Sequence, residues 1–243
     1  MKTIVFQYRG KVAHFLRAEA NKSATTYPVP PRTVLIGLLG AILGFGKDEP
    51  QIVLQDAQLA LSGIVPRTHW HNVKLRKDPP AALPYAVKAN AKSEKTTAPE
   101  KPALIRQEWL WQPHYTIYAS LPEPHHENLY ERLKEHRWHF TPCLGLSEMM
   151  GEVNLLEKEN CEAASLPYGS YRVNTVVPQH EGQLDMELAF KEGLALQSLR
   201  MPRSVTGERI FTHASYYVER DAKPIPFITG AAWRVGNETV VFL

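Results

Sequence analysis

The chain has 243 residues, 44% of them hydrophobic and 22% charged, enough apolar material for one large domain or a domain with a smaller companion. Its 19 prolines weigh against a helical bundle, because proline ends helices and favours connections and edge strands. The formal charge is only +3, so a uniformly basic, histone-like surface is excluded.

Two cysteines, Cys143 and Cys161, allow one disulfide but no disulfide framework, which fits a reducing cytosol. The longest apolar run, Val34 to Phe45, falls well short of the roughly 20 residues that span a bilayer. The opening MKTIVFQYRG has too short an apolar stretch, followed too soon by charge, to act as a secretion signal. A cytoplasmic protein without membrane contact is the expectation. The charge is uneven: residues 1–106 hold 16 Lys/Arg and 7 Asp/Glu, a balance of +9, whereas residues 107–243 hold 12 and 18, a balance of −6. A basic N-terminal part can face a polyanion, although an accident of surface composition gives the same totals.

In chain order, residues 2–8 (KTIVFQY) predict a strand, being β-branched and aromatic with partial alternation. Arg9 to Tyr27 is a polar, basic loop with Arg9, Lys11, His14, Arg17 and Lys22. In YPVPPRT the prolines fit only a first helical turn, so a helix is predicted from near Pro31 to about Phe45. Gly37, Gly40 and Gly44 fall on one face of it, where they lower helix propensity but admit another backbone. Gly46 is the expected stop.

Residues 57–71 predict a strand with Leu59 and Leu61 on one face, and the polar segment 72–103 has no clear period. Residues 104–119 predict a strand pair, or one long strand bent at Pro113. A helix is predicted over 124–139, with Leu129, Leu133 and His136 turned inward. Residues 144–157 predict a strand, with a helix as the rival. Beyond it, 170–177, 208–219 and 231–243 predict a β-rich tail in which Gly236-Asn237 marks a hairpin turn.

Strand, helix, strand, strand, helix, strand is the order of the split βαβ, or ferredoxin-like, unit. The expected fold class is therefore α+β, with a ferredoxin-like domain over 1–160 and a small β-rich region over 161–243. A structureless insertion as long as the one between the second and third strands is unusual in a compact domain. It is read as a protruding hairpin with a mobile tip, and from Arg67 to Arg106 it carries 9 Lys/Arg against 3 Asp/Glu.

Four chemistries can be weighed. A phosphate loop fails: Gly46-Lys47 has Ala41 where the first glycine belongs and Asp48 where Ser or Thr belongs. A metal site is disfavoured, since His69 with His71 and His125 with His126 have no supporting Cys-x-x-Cys, HExxH or carboxylate cluster. Metal-free RNA cleavage needs a base for the 2′-hydroxyl and an acid or cation for the leaving oxygen. His14, His69, His71, Lys74, Tyr8 and Tyr27 are candidates, and each serves phosphate or base contact equally well.

RNA binding fits best. The basic loop feeds a helix N-terminus at Pro30 to Thr33, whose free N–H groups suit a phosphate, with Arg32 and Thr33 as added donors. Capping is a compatible role for Thr33. The projection interleaves Arg67, His69, Trp70, His71, Lys74 and Arg76 with Arg106, Trp109 and Trp111. Cations beside flat rings suit a single strand, whose bases stack while its phosphates are neutralised. Core packing at alternating strand positions is the alternative for Trp109 and Trp111.

The stretch FQYRGKVAHFLRAEANKSATTYPVPPRTVLIGLLGAILG, from Phe6, joins the basic loop, the PPRT turn and the glycine-bearing helix. It resembles the N-terminal signature of the CRISPR-associated Cas-five family, and TPCLGLSEMMGEV (141–153) resembles that family's second signature. The likeness is nearest to the type I-B branch. It implies a RAMP-superfamily protein with an RRM-like domain and a β-hairpin thumb, at the foot of a Cascade complex in antiviral defence. There it would hold the 5′ handle of the CRISPR RNA (crRNA), beside a Cas-seven backbone subunit and a Cas-eight large subunit. It would meet target DNA through the complex.

By the same resemblance the thumb is 67–106, the handle-binding loop after the second helix holds Leu144, Gly145 and Ser147, and the loop before the first helix holds His14, Arg17, Thr25 and Arg32. One branch of the family also cuts precursor RNA, and its pattern is not evident here. The resemblance thus implies a non-catalytic subunit without cofactor, with a metal-independent endoribonuclease as the alternative.

Overall fold

The structure is a computed structural model that describes residues 1–17, 19, 23–75, 103–156 and 161–243. Lys22, Arg76 and the expected hairpin tip lie outside the described residues.

The chain begins in a strand buried on both faces. In β1 (Lys2–Gly10) the side chains of Ile4, Phe6 and Tyr8 enter the main core, while Val5 enters a second one. Both faces of KTIVFQY are apolar, so β1 takes the centre of a sheet. β7 (His114–Ser120) pairs with it antiparallel on one side, from Ile4 opposite Ala119 to Arg9 opposite His114. β8 (Gly151–Leu155) pairs on the other side, from Phe6 opposite Leu155 to Gly10 opposite Gly151. β4 (Gln58–Ser62) lies beyond β7, so the order is β8-β1-β7-β4, all antiparallel.

Two helices cover the Ile4–Phe6–Tyr8 face. α1 (Arg32–Leu43) buries Leu35, Ile36, Leu38, Leu39 and Ile42, as expected of a helix that is apolar almost all round. α1 stops two residues before the predicted Gly46. Gly44 adopts φ +91° and donates to Gly40 O at 2.8 Å, a left-handed cap that glycine supplies without strain. Gly40 sits against Pro50 of α2 (Glu49–Val53), and a Cβ there would lie 2.1 Å from the proline ring. α3 (His125–Lys134) buries Leu129 and Leu133 as predicted, but His126 rather than His136 joins them.

Two predicted strands are divided. The run 57–71 becomes β4 and β5 (Thr68–Leu75), separated by 63–67. The run 144–157 forms a strand only in β8; its first half is a turn that buries Leu144 and Met149. The 104–119 segment is a pair, β6 (Ala103–Trp111) and β7, broken at Gln112-Pro113. Two short strands, β2 (Val12–Ala13) and β3 (Ser23–Ala24), lie in the basic loop.

The C-terminal strands are continuous with this sheet. β9 (Cys161–Ser165) pairs with Lys2 and Thr3 of β1, and β16 (Ala232–Val235) and β17 (Glu238–Val241) follow it. The predicted Gly236-Asn237 turn joins those last two. They cover the opposite face of β1, burying Val235, Val240 and Phe242 with Val5 and Tyr118. Leu243 then donates to Leu59 O at 2.8 Å, so the two ends of the sheet meet.

β10 (Gly169–Val173), β12 (Gly182–Leu184) and β15 (Ile225–Thr229) form a small sheet, with α4 (Met186–Lys191) following β12. β11 (Val177–Pro178), β13 (Leu196–Val205) and β14 (Phe211–Glu219) form another. Leu199, Met201, Tyr216 and Val218 of the β13–β14 hairpin enter the main core. Strand makes up 47% of the described residues and helix 17%, so the molecule is mostly β where the sequence pointed to a more even mixture. Among the described residues no helix is long and apolar enough to cross a membrane.

Candidate nucleic-acid interface

β5 and β6 pair antiparallel, with His69 opposite Trp109, His71 opposite Gln107 and Asn72 opposite Arg106. Side chains alternate across a strand, so one face carries His69, His71, Trp109 and Trp111. The His71 ring lies 4.2 Å from that of Trp109, tilted by 31°, and His69 meets Trp109 and Trp111 edge-on at 5.9 and 5.7 Å. The other face carries Trp70, Lys74 and Arg106, with the Arg106 guanidinium 4.7 Å over the Trp70 ring. Trp70 and Trp111 are 44% and 52% exposed, Lys74 and Arg106 are exposed, and Trp109 is half-buried against the core. Flat rings therefore stand on both faces of one hairpin, with exposed cations beside them on the Trp70 face.

The hairpin base is tied to the basic loop. β6 pairs with β2 and, in parallel, with β3. His14 Nδ1 donates to Glu108 O at 2.8 Å, and the Glu108 carboxylate accepts from Thr26 N at 3.1 Å. The loop after α3 closes on the same place. His14 N donates to Leu144 O at 3.0 Å, Leu144 N to Met149 O at 2.7 Å, and Gly145 (φ +97°) lies so close that a Cβ would stand 1.9 Å from His14 O. The two loops singled out by resemblance are thus brought together.

Not every candidate reaches the surface. His14 is only 2% exposed, and its ring fixes the loop to the hairpin. Arg32 is buried: its guanidinium donates to Gln55 O at 2.6 Å, Ala57 O at 2.9 Å and Arg203 O at 3.3 Å. Burial, aided by nearby Arg203, holds its pKa below the usual arginine value. Pro30 and Pro31 are buried beside it, so the helix end read as a phosphate seat is covered by protein. Thr33 lies inside the first turn, where its carbonyl accepts from Gln51, and the N-cap is Pro31 without side-chain capping. Leu144 is wholly buried. Arg17, Arg67, Gly145 and Ser147 are exposed, and Thr25, half-buried, accepts from Arg17 N at 2.9 Å. Arg76 lies outside the described residues.

The candidate nuclease groups divide similarly. Tyr8 and Tyr27 are buried, and burial pushes both phenols up. Tyr8 donates to Cys143 O at 2.6 Å. His126 is buried and its Nδ1 accepts from Leu121 N at 3.3 Å, while His125 packs edge-on against Phe45. Among the described residues no three His, Cys, Asp or Glu side chains gather as a metal site.

Sequence reasoning missed a groove. Between the basic loop, the 63–67 connection and β13 lies a cleft of about 720 Å³ lined by Arg17, Thr26, Arg67, Glu108, Gln197 and Arg220 among others. It continues past Val65, Arg67 and Arg220 into a second cleft of about 1090 Å³ that reaches Trp111 and His114. Among the described residues, the one arginine that the C-terminal half brings to it, Arg220, stands beside Glu219 and Asp221 in the sequence, so nothing local marked it.

A family model described as "CRISPR-associated protein (Cas_Cas5)" matches residues 3–223. The chain belongs to the CRISPR-associated Cas-five family. The match includes both loops, the hairpin and β13–β14, while type I-B finds no separate support in it.

Solved structures share the Cas-five chain's fold at low identity. One described as "CRISPR RNA-guided surveillance complex" aligns at TM-score 0.56 and 15% identity, covering 92% of this chain and 91% of its own. "Crystal structure of a CRISPR protein from Archaeoglobus fulgidus" aligns at 0.54 and 13%, covering 99% and 98%. "Crystal structure of Cas protein" aligns at 0.51 and 14%, covering 92% and 98%. A comparison with curated proteins gave no match.

Proposed function

We propose that this Cas-five chain is a non-catalytic subunit of a CRISPR effector complex that binds the 5′ handle of crRNA. The observation that carries the reading is the β5–β6 hairpin, with Trp70, Lys74 and Arg106 on one face and His69, His71 and Trp111 on the other. Its base is fastened to the basic loop, which at His14 also holds the loop after α3. Rings for stacking beside cations for phosphates are what a single strand requires.

The order β8-β1-β7-β4 with two helices on one face supports reading this part as a ferredoxin-like, RRM-like unit with β5–β6 as its thumb. A solved relative described as a "CRISPR RNA-guided surveillance complex" supports placement in such an assembly. The neighbours there would be Cas-seven and Cas-eight subunits, with target DNA met through the complex in the cytoplasm. Exposed Tyr168, Met186 and Phe190 in the C-terminal half suit protein contacts. The non-catalytic reading draws on the engagement of candidate bases elsewhere: Tyr8 and Tyr27 are buried, and the His14 ring bonds a carbonyl.

The test is fluorescence anisotropy with a handle RNA and a scrambled control over a range of salt. Counterion release contributes about 0.7 to the log–log salt slope per neutralised phosphate of a single strand. Changing Arg67, Lys74 and Arg106 together to alanine should lower the slope by about 2. An unchanged slope contradicts the thumb assignment, and equal affinity for the scrambled RNA contradicts handle recognition.

A further inference from the structure

We infer that the C-terminal half supplies one wall of the nucleic-acid path: the groove between the basic loop and β13 seats a phosphodiester backbone against Arg17, Arg67 and Arg220. This rests on the RNA-binding reading and extends it to a region whose overall charge is negative.

The argument turns on which arginines lack partners. Arg9, Arg137, Arg172 and Arg209 pair with Glu152, Glu135, Glu192 and Asp48. Arg32, Arg132 and Arg234 donate to backbone carbonyls. Arg17, Arg67, Arg106, Arg200, Arg203 and Arg220 are exposed, and among the described residues none has a carboxylate within ion-pair distance. Three of these six, Arg17, Arg67 and Arg220, line the same groove. Of the others, Arg106 overlies Trp70, Arg203 stands near Arg32, and Arg200 on β13 lies near enough to act on the phenol of Tyr27, whose ring Arg17 overlies at 5.3 Å.

Like charges gathered without counter-charges repel one another, and a polyanion relieves that cost. Two carboxylates lie close by, Glu108, which accepts from Thr26 N, and Glu19, which accepts from the Tyr27 hydroxyl at 3.4 Å; neither is within ion-pair distance of Arg17, Arg67 or Arg220, and the three arginines outnumber them. A volume of about 720 Å³ lies within the roughly 300–1,000 Å³ of clefts that hold small ligands, so a nucleotide fits. Arg220 is positioned by its backbone, accepting from Val65 N at 2.9 Å and donating to Ala195 O at 3.1 Å. That clamps β14's end to the connection that leads into β5. A strand following the hairpin would pass directly from Arg67 onto Arg220.

The test is the salt dependence of binding of a short single-stranded RNA, and of DNA of the same sequence, to the full chain. Changing Arg17 and Arg220 together to alanine should lower the log–log slope by about 1.4, and the paired lysine changes should keep it. Gln197→Glu, at an exposed position on the groove wall, should weaken binding several-fold. Loss with RNA alone assigns the groove to crRNA, loss with DNA alone assigns it to a DNA strand, and either upholds the seat. Normal slopes and affinities for R17A/R220A and Q197E, with loss confined to a hairpin variant that changes only Lys74 and Arg106 to alanine, overturn this inference and leave the proposed function standing. A wild-type chain that binds neither probe overturns the functional reading and this inference with it.

Discussion

At φ +97° and with any Cβ placed 1.9 Å from His14 O, Gly145 has no room for a side chain. A left-handed backbone alone costs an ordinary residue about 1–2 kcal/mol, and the clash adds to it. Gly145→Ala should lower unfolding stability by about 2 kcal/mol or more, measured by urea titration; an unchanged midpoint would mean that the clasp is not closed in solution. Tyr8 and Tyr115 are sealed in the core, and burial pushes both phenols up. Unfolded tyrosines ionise near pH 10, so above about pH 10 the unfolded chain sheds protons that the folded chain keeps. The stability these residues give is complete below that pH. It declines by up to ~1.4 kcal/mol per pH unit for each as pH rises toward the folded pKa. Tyr8→Phe should flatten the decline, read from unfolding between about pH 8 and about pH 11; equal slopes would contradict the assignment. At this scale the sequence was partly legible. Residue type located Arg17, Arg67 and Lys74 at the surface correctly. It did not locate His14 or Arg32, because a histidine or arginine in a basic loop has the same letter whether it meets phosphate or a backbone carbonyl.

Elements packed through glycine and proline leave little slack, whereas elements joined by surface charge leave much. At the α1–α2 corner a Cβ on Gly40 would lie 2.1 Å from Pro50, so Gly40→Ala should cost about 1–3 kcal/mol by overpacking. The tip of β13–β14 reaches the same corner through the exposed pair Arg209–Asp48 at 2.9 Å. Arg209→Ala should cost under about 1 kcal/mol. Thermal unfolding of the two variants checks the contrast, and a reversal of their order would contradict it. Two helices were readable from the sequence because prolines mark the start of α1 and period marks α3, whereas α2 and α4, at five and six residues, are too short to show a period. The strands were less so. Residues 57–71 read as one run because Gly63 and Pro66 interrupt it without ending its apolar character. Leu144 and Met149 are buried by a turn rather than by strand alternation, so a period-2 reading extended β8 too far.

In the whole molecule the two halves share one sheet and one core. β9, β16 and β17 extend the sheet of β1, Leu243 bonds to β4, and Leu199 and Tyr216 lie in the main core. Unfolding should therefore be a single transition seen alike by probes in either half. Phe242→Ala, removing a buried ring from the second core, should shift that transition by about 3–5 kcal/mol without splitting it. Two separated transitions would contradict the shared core. The order of the first six predicted elements was legible because each carries its own period. The wrapping of the tail round the far face of β1 was not, since it depends on pairings between residues more than a hundred positions apart. Charge behaved likewise: a half-chain balance of −6 concealed Arg220, which folds onto the groove beside Arg17 and Arg67.

The central claim is that this chain holds crRNA without cutting it, and one gel addresses both parts. The purified protein is incubated with its own repeat RNA in EDTA, and cleavage and mobility are read together. An intact 5′-handle fragment, retarded by wild-type protein and released by the hairpin variant, is the result the account predicts. A specific cut without divalent metal, abolished by changing His69 or His71, would contradict it and make the chain a processing endoribonuclease.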